Sequence, residues 1–150
     1  MNVKLFDELY SKDVSSLIID NLKRINSKDY ESNIIDNLCI RFNEKWLLDL
    51  SKVRNTYVYF LDWKVVATAS LDHNMLHALF VHIDYQYRWI WTDFLKSLED
   101  IVKSINYSYI VVSASLTSEG FFKKMWYKKI LYTYSDTHWK SCIMRKDFKK

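Results

Sequence analysis

The sequence predicts a mixed α/β (α+β) fold, a mainly antiparallel sheet flanked by helices, with elements in the order β-α-α-β-β-β-α-β-α-β-β. Three observations predict it. Apolar residues recur at helical spacing as far as residue 52, the period then drops to two over three consecutive segments, and helical and strand-like stretches alternate beyond residue 90.

Residues 2–6 alternate around Val3 and read as a short strand. Val14, Leu17, Ile18, Leu22 and Ile25 then share one helix face, with Asp13 as its N-cap. Ile34, Ile35, Leu38 and Phe42 repeat the pattern, and Trp46, Leu47 and Leu50 extend it after a break near Asn43, which predicts a second helix in two pieces. Residues 56–61, 65–70 and 75–81 are rich in β-branched and aromatic side chains, and the separators Asp62-Trp63-Lys64 and Asp72-His73-Asn74 are hairpin-sized. Helical spacing returns with Ile90, Phe94, Leu95, Leu98, Ile101, Val102 and Ile105. A strand at 109–113, a short helix at 117–125 and a hairpin of 130–134 with 141–144 complete the chain.

Length and composition bound the function. A chain of 150 residues reads as one domain, 1–150, able to bury roughly two-thirds of the surface its unfolded form exposes. Apolar residues at 49% and charged residues at 27% exclude a disordered chain. No run approaches the ~18 apolar residues of a membrane span, and Asp7 and Glu8 interrupt the N-terminal stretch, so the expectation is a cytoplasmic protein with no membrane partner. A net charge of +4 with Lys and Arg spread among Asp and Glu, apart from the tail at 145–150, argues against a nucleic-acid partner. Cys39 and Cys142 lack paired spacing and read as buried thiols, a disulfide being the minor reading. His73, His77, His82 and His138 show no metal-ligand spacing, so no metal is expected. One quantity departs from average usage: about ten Gly and about seven Pro would be ordinary at this length, and the chain has one Gly, Gly120, and no Pro.

The informative stretch runs Leu79-Phe80-Val81-His82-Ile83-Asp84-Tyr85-Gln86-Tyr87-Arg88-Trp89-Ile90-Trp91-Thr92, a strand, a loop and the opening of a helix. That arrangement is the physical form of an anion site, because the free N–H groups and the positive dipole end of a first helical turn point toward phosphate oxygens. The segment resembles the cofactor loop of the GNAT superfamily of N-acetyltransferases: an apolar strand ending in Val, a short turn, then Gln or Arg, two residues, Gly, one residue, and Gly or Ala. Gln86, Arg88 and Ile90 fit that pattern, while Trp89 and Trp91 replace the two small residues and Ile83 the usual Pro. The resemblance continues upstream through Asn55-Thr56-Tyr57-Val58 and residues 65–71. Downstream it continues through residues 113–127, where Trp126 replaces a usual Gly and Phe122 a usual Tyr.

The resemblance implies a GNAT-like fold and acetyl transfer from acetyl-CoA to a primary amine, on a small molecule or a protein, by direct attack of the amine on the thioester. Phe80, Val81, Gln86, Tyr87, Arg88, Trp89, Ile90, Trp91, Thr92, Ser115, Thr117 and Phe122 would then meet the cofactor. Four of the six tryptophans, Trp63, Trp89, Trp91 and Trp126, stand where the family usually has Gly, as does His73. Removal of Gly by design, or misreading of a recoded codon (GGA and TGA differ by one base), would produce that pattern. An alternative therefore stays open: a catalytically impaired binding or dimerisation module whose pyrophosphate loop is blocked by Trp89 and Trp91. A homodimer is compatible with either.

For the base that takes the amine proton, a His meets the pKa requirement without special tuning. His77, on the strand entering the loop, is the first candidate, with Glu119 and His138 behind it; a lone strand His also serves ordinary structural roles. The family's acid position holds Phe122, which has no proton to give, leaving Tyr127 as the candidate acid against its reading as a packing aromatic. Ser115 and Thr117 either bond to the cofactor or substrate, or end the strand and cap the next helix.

Overall fold

The computed structural model of the chain describes residues 2–149. Strand β1 (Val3–Leu5) leads through a 3-10 turn into α1 (Ser11–Arg24). Asp13 is the third residue of that helix, not its N-cap. Asp7 caps the preceding 3-10 turn instead, its carboxylate accepting the Leu9 N–H at 2.9 Å, so the chain starts turning at Glu8, ahead of Val14 where the apolar repeat begins. The second helical stretch is two helices, α2 (Ser32–Arg41) and α3 (Glu44–Val53). Asn43 makes the break by accepting the Trp46 N–H at 2.9 Å.

Strands β2 (Asn55–Leu61), β3 (Lys64–Asp72) and β4 (Met75–Val81) form a meander. Both hairpins are tighter than their separators suggested, with two-residue turns. Asp62 and Trp63 both have positive φ (51° and 66°), as a type I′ turn demands, and His73 has φ 55°. Helix α4 (Arg88–Ser104) returns the chain to β5 (Tyr109–Ser115), and α5 (Glu119–Lys124) precedes β6 (Lys128–Tyr134) and β7 (Lys140–Asp147). β5 runs two residues beyond its predicted end, and α5 is correspondingly shorter than 117–125.

Among the described residues the strands form one seven-stranded sheet, order β1-β2-β3-β4-β5-β7-β6, antiparallel except where β4 meets β5. Two cores lie on its faces. On one, Ile90, Phe94, Leu95, Leu98 and Val102 of α4 are fully buried with Phe122 and Tyr127. On the other, Val14, Leu17, Ile18 and Leu22 of α1 pack with Ile35, Leu38 and Leu47. The central β3 is buried from Val65 to Leu71, because helices cover it on both sides. The outer strand β6 is exposed almost throughout, with Lys128 and Lys129 blunting an edge that also carries Ile130 and Leu131. Among the described residues no helix is long and apolar enough to cross a membrane, and no group of His, Cys, Asp or Glu could hold a metal ion. Cys142 is buried and Cys39 half-buried, both as free thiols.

Candidate active site between two splayed strands

β4 and β5 pair only through Met75–Val111 and Leu76–Val112 and then diverge. The cause is local to β4. Ser70 faces His77 and Thr68 faces Phe80, so Ala78 and Leu79 together oppose Ala69. This bulge places Ala78 at φ 53° and bends the strand out of the ladder. A cavity of about 200 Å³ opens at the split, reached by His77 and Phe80 from β4, Ser113 and Ser115 from β5, Phe122 from α5 and Arg54 from the end of α3.

Beyond the split the loop is fastened to the end of β4. The Val81 carbonyl accepts from the buried Asn21 side chain of α1 at 2.7 Å and from Gln86 Nε2, which also donates to the His82 carbonyl at 3.3 Å. Gln86 Oε1 accepts from Trp91 Nε1 at 3.2 Å. Tyr87 precedes α4, and its carbonyl takes the Ile90 and Trp91 N–H groups at 3.0 and 3.4 Å. The Arg88 and Trp89 amides lie in the first turn and have no acceptor inside the helix. The Thr92 hydroxyl donates back to the Arg88 carbonyl at 2.8 Å.

Neither indole sits in left-handed backbone here, because Trp89 and Trp91 are already helical. Trp89 borders an open surface depression that Asn2 and Tyr59 also line. Trp91 packs on Phe121 of α5, ring centroids 5.1 Å apart. Helical amides flanked by Arg88 fit a diphosphate, with the Trp91 ring filling space toward α5.

His77 is half-buried and faces the cavity. Burial, reinforced by the Arg54 guanidinium and opposed by Asp72, pushes its pKa down to about 4, so it is neutral across the physiological range and a weaker base than a free imidazole. The other candidates are elsewhere. Tyr127 is buried under α4, its hydroxyl donating to Glu99 Oε2 at 2.6 Å, and Lys146 pins that carboxylate at 3.1 Å. Burial and the Glu99 charge push the phenol far above its ordinary range, and the cavity wall does not include it. Glu119 lies beside Trp126 and Lys129, its carboxyl held below the usual range chiefly by Tyr132. His138 is an exposed turn residue at φ 63°.

Ser115 does not cap α5. Its hydroxyl accepts the Ser118 N–H at 3.1 Å and meets the Ser118 hydroxyl at 2.9 Å, within the turn after β5. Thr117 is tied to Asp29 at 2.8 Å and Asn26 at 3.2 Å. Sequence reasoning missed Arg54 and the parts that enclose the cavity. Tyr30 stacks on Trp139 at 3.6 Å, donates to the Lys140 carbonyl at 2.6 Å and accepts the Leu116 N–H at 2.8 Å. Arg41 grips Asp136 with two bonds of 3.1 Å, so α2 is tied to the β6–β7 hairpin. No local pattern announces these partners, which stand 86 to 110 residues apart.

No protein-family model matches the chain, and no curated protein matches it in sequence. Solved structures do. A GCN5-related N-acetyltransferase from Rhodopseudomonas palustris superposes with a TM-score of 0.89 at 18% identity, over 97% of this chain and 94% of that one. The PaiA N-acetyltransferase from Thermoplasma acidophilum, in complex with coenzyme A, gives 0.74 at 14% identity, over 99% and 100%. An aminoglycoside 6'-N-acetyltransferase, also complexed with coenzyme A, gives 0.66 at 14%, over 98% and 97%. Read together with the bulged, splayed β4 and the loop that follows it, these matches establish the architecture: the chain has the fold of the GCN5-related (GNAT) N-acetyltransferases.

Proposed function

We propose that this chain is a single-domain N-acetyltransferase that uses acetyl-CoA as cosubstrate and acetylates a primary amine by direct attack. The observation that carries this reading is the opening between β4 and β5, which brings a neutral, half-buried His77 to the wall of a cavity, on the same strand that runs on into the loop ahead of α4. Acetyl-CoA supplies the activated acetyl group. The Arg88 and Trp89 amides, with the Arg88 side chain, hold the pyrophosphate, and Gln86 keeps the loop on the end of β4. The bulge frees backbone polar groups at Ala78 and Leu79 to meet the thioester carbonyl. His77 accepts the proton the amine loses on acylation. Phe122 offers no proton and Tyr127 is committed to Glu99, so the departing thiolate is protonated by water.

Thermal unfolding with and without acetyl-CoA tests this. Saturation at one hundred times Kd adds about 2.7 kcal/mol of stability, and no shift at millimolar ligand defeats the reading. The competing reading, a non-catalytic module, draws support from the Trp91–Phe121 contact across the gap between α4 and α5, and it predicts that absence of shift.

His77 also gives a signature in the free protein. Its folded pKa of about 4 lies below the ordinary 6.5, so the unfolded chain binds the proton first as pH falls. Stability present above pH 6.5 is lost as pH falls toward 4, by up to about 3 kcal/mol. His77→Gln should flatten that segment of the stability profile and slow thiol release while leaving the acetyl-CoA shift in place.

A further inference from the structure

The walls of the cavity are specific about charge and shape. No Asp or Glu lines it, while two arginines do. Arg41 is already paired with Asp136, whereas Arg54 makes no ion pair among the described residues. Arg54 and His77 line the same cavity, and the guanidinium charge adds to burial in disfavouring protonation of His77. A half-buried guanidinium beside apolar surface gains most from an anion able to take two of its donors. The remaining wall mixes aromatic and aliphatic side chains with Ser and Thr hydroxyls; among the aromatics Phe42 stands edge-on to Trp46 at 4.8 Å and to Phe80 at 5.9 Å, and Trp139 stacks on Tyr30. At about 200 Å³ the space is below the roughly 300–1,000 Å³ typical for drug-sized ligands.

Resting on the transferase reading above, we infer that the acceptor is a small amine with an apolar or aromatic body and a carboxylate, an amino-acid-like molecule whose carboxylate is held by Arg54. The rings take the body, Arg54 takes the acid, and the amine is left at the His77 side. A polyamine or polycationic sugar meets the opposite conditions, with like charge from Arg54 and no carboxylate for its extra ammonium groups.

Three probes share or lack the relevant groups: phenylalanine, phenethylamine (the same body and amine without the acid) and spermidine. Thiol release from acetyl-CoA is measured with each, on the wild type and on Arg54→Gln, alongside the acetyl-CoA thermal shift. Phenylalanine should have the highest kcat/KM, about ten-fold or more above phenethylamine, as a charge-assisted contact predicts. Arg54→Gln should raise KM for phenylalanine by a similar factor and erase its advantage over phenethylamine, a ratio in which any change at His77 cancels, while a retained acetyl-CoA shift shows that the variant folds. Preference for spermidine, equal use of phenylalanine and phenethylamine, or acetylation of a peptide's N-terminal amine but of none of the three, overturns the inference while the transferase reading stands. If acetyl-CoA gives no shift, that reading fails instead, and calorimetric titration with phenylalanine decides the cavity alone: binding tighter than phenethylamine supports it, no difference overturns it.

Discussion

Trp63 and Trp126 sit in left-handed backbone, at φ 66° and 74°, with their rings 98% and 81% exposed, whereas Trp89 and Trp91 lie in the right-handed opening of α4. In sequence all four belong to one class, tryptophan where the related pattern has glycine. The backbone divides them. At the two turns an L-residue with a large side chain adopts a conformation that costs roughly 1–2 kcal/mol, and no buried contact offsets it. At the start of α4 there is no such strain, and the Trp91 indole adds a ring contact and a hydrogen bond. A shortage of glycine thus costs stability at the two turns, while at the start of α4 it brings no backbone strain.

The largest effect that tests this division is Trp91→Gly. It removes the Phe121 contact and the bond to Gln86, and it places glycine inside a helix at a cost of about 1 kcal/mol. With the lost packing, urea unfolding should show a loss of about 2–4 kcal/mol. A neutral or stabilising result would mean that this residue, too, occupies a position that wants glycine. Trp63→Gly and Trp126→Gly should move stability the other way, each by about 1–2 kcal/mol, with additive effects because the turns lie in separate hairpin and helix-to-strand connections. Destabilisation by either would show that the exposed ring contributes something its surroundings do not reveal.

The same division explains what could be read beforehand. Elements with long periodic patterns were legible: the α4 stripe from Ile90 to Val102 and the exact span of β4 follow from spacing alone. Boundaries set by side-chain caps were not, as Asp7 taking the place of Asp13 shows. The GNAT-like fold came from the loop pattern around Gln86 and Arg88, and the matching architecture bears it out. Within the candidate site, His77 and Phe80 could be named because they lie on the strand that leads into the loop. Ala78 could not, since the bulge that opens the cavity is ordinarily marked by glycine and here carries an alanine at positive φ. Arg54 and the Tyr30–Trp139 stack were hidden for a different reason: their meaning depends on contacts between segments far apart in the chain.

The smallest expected change sharpens the comparison most, because it concerns a residue with neither strain nor deep packing. Trp89 is 53% exposed and borders an open surface depression that Asn2 and Tyr59 also line. Trp89→Gly should therefore lower stability by no more than about 1 kcal/mol, the helix cost of glycine, since little apolar area is lost. It should also leave the acetyl-CoA thermal shift where it was, because in the proposed site the first-turn amides, and not the indole, meet the ligand. A larger shift in Trp89→Gly would place the indole over those amides. A shift that appears only when Trp91→Gly is added would place the obstruction at the α4–α5 gap, and the two outcomes separate a blocked loop from a filled one.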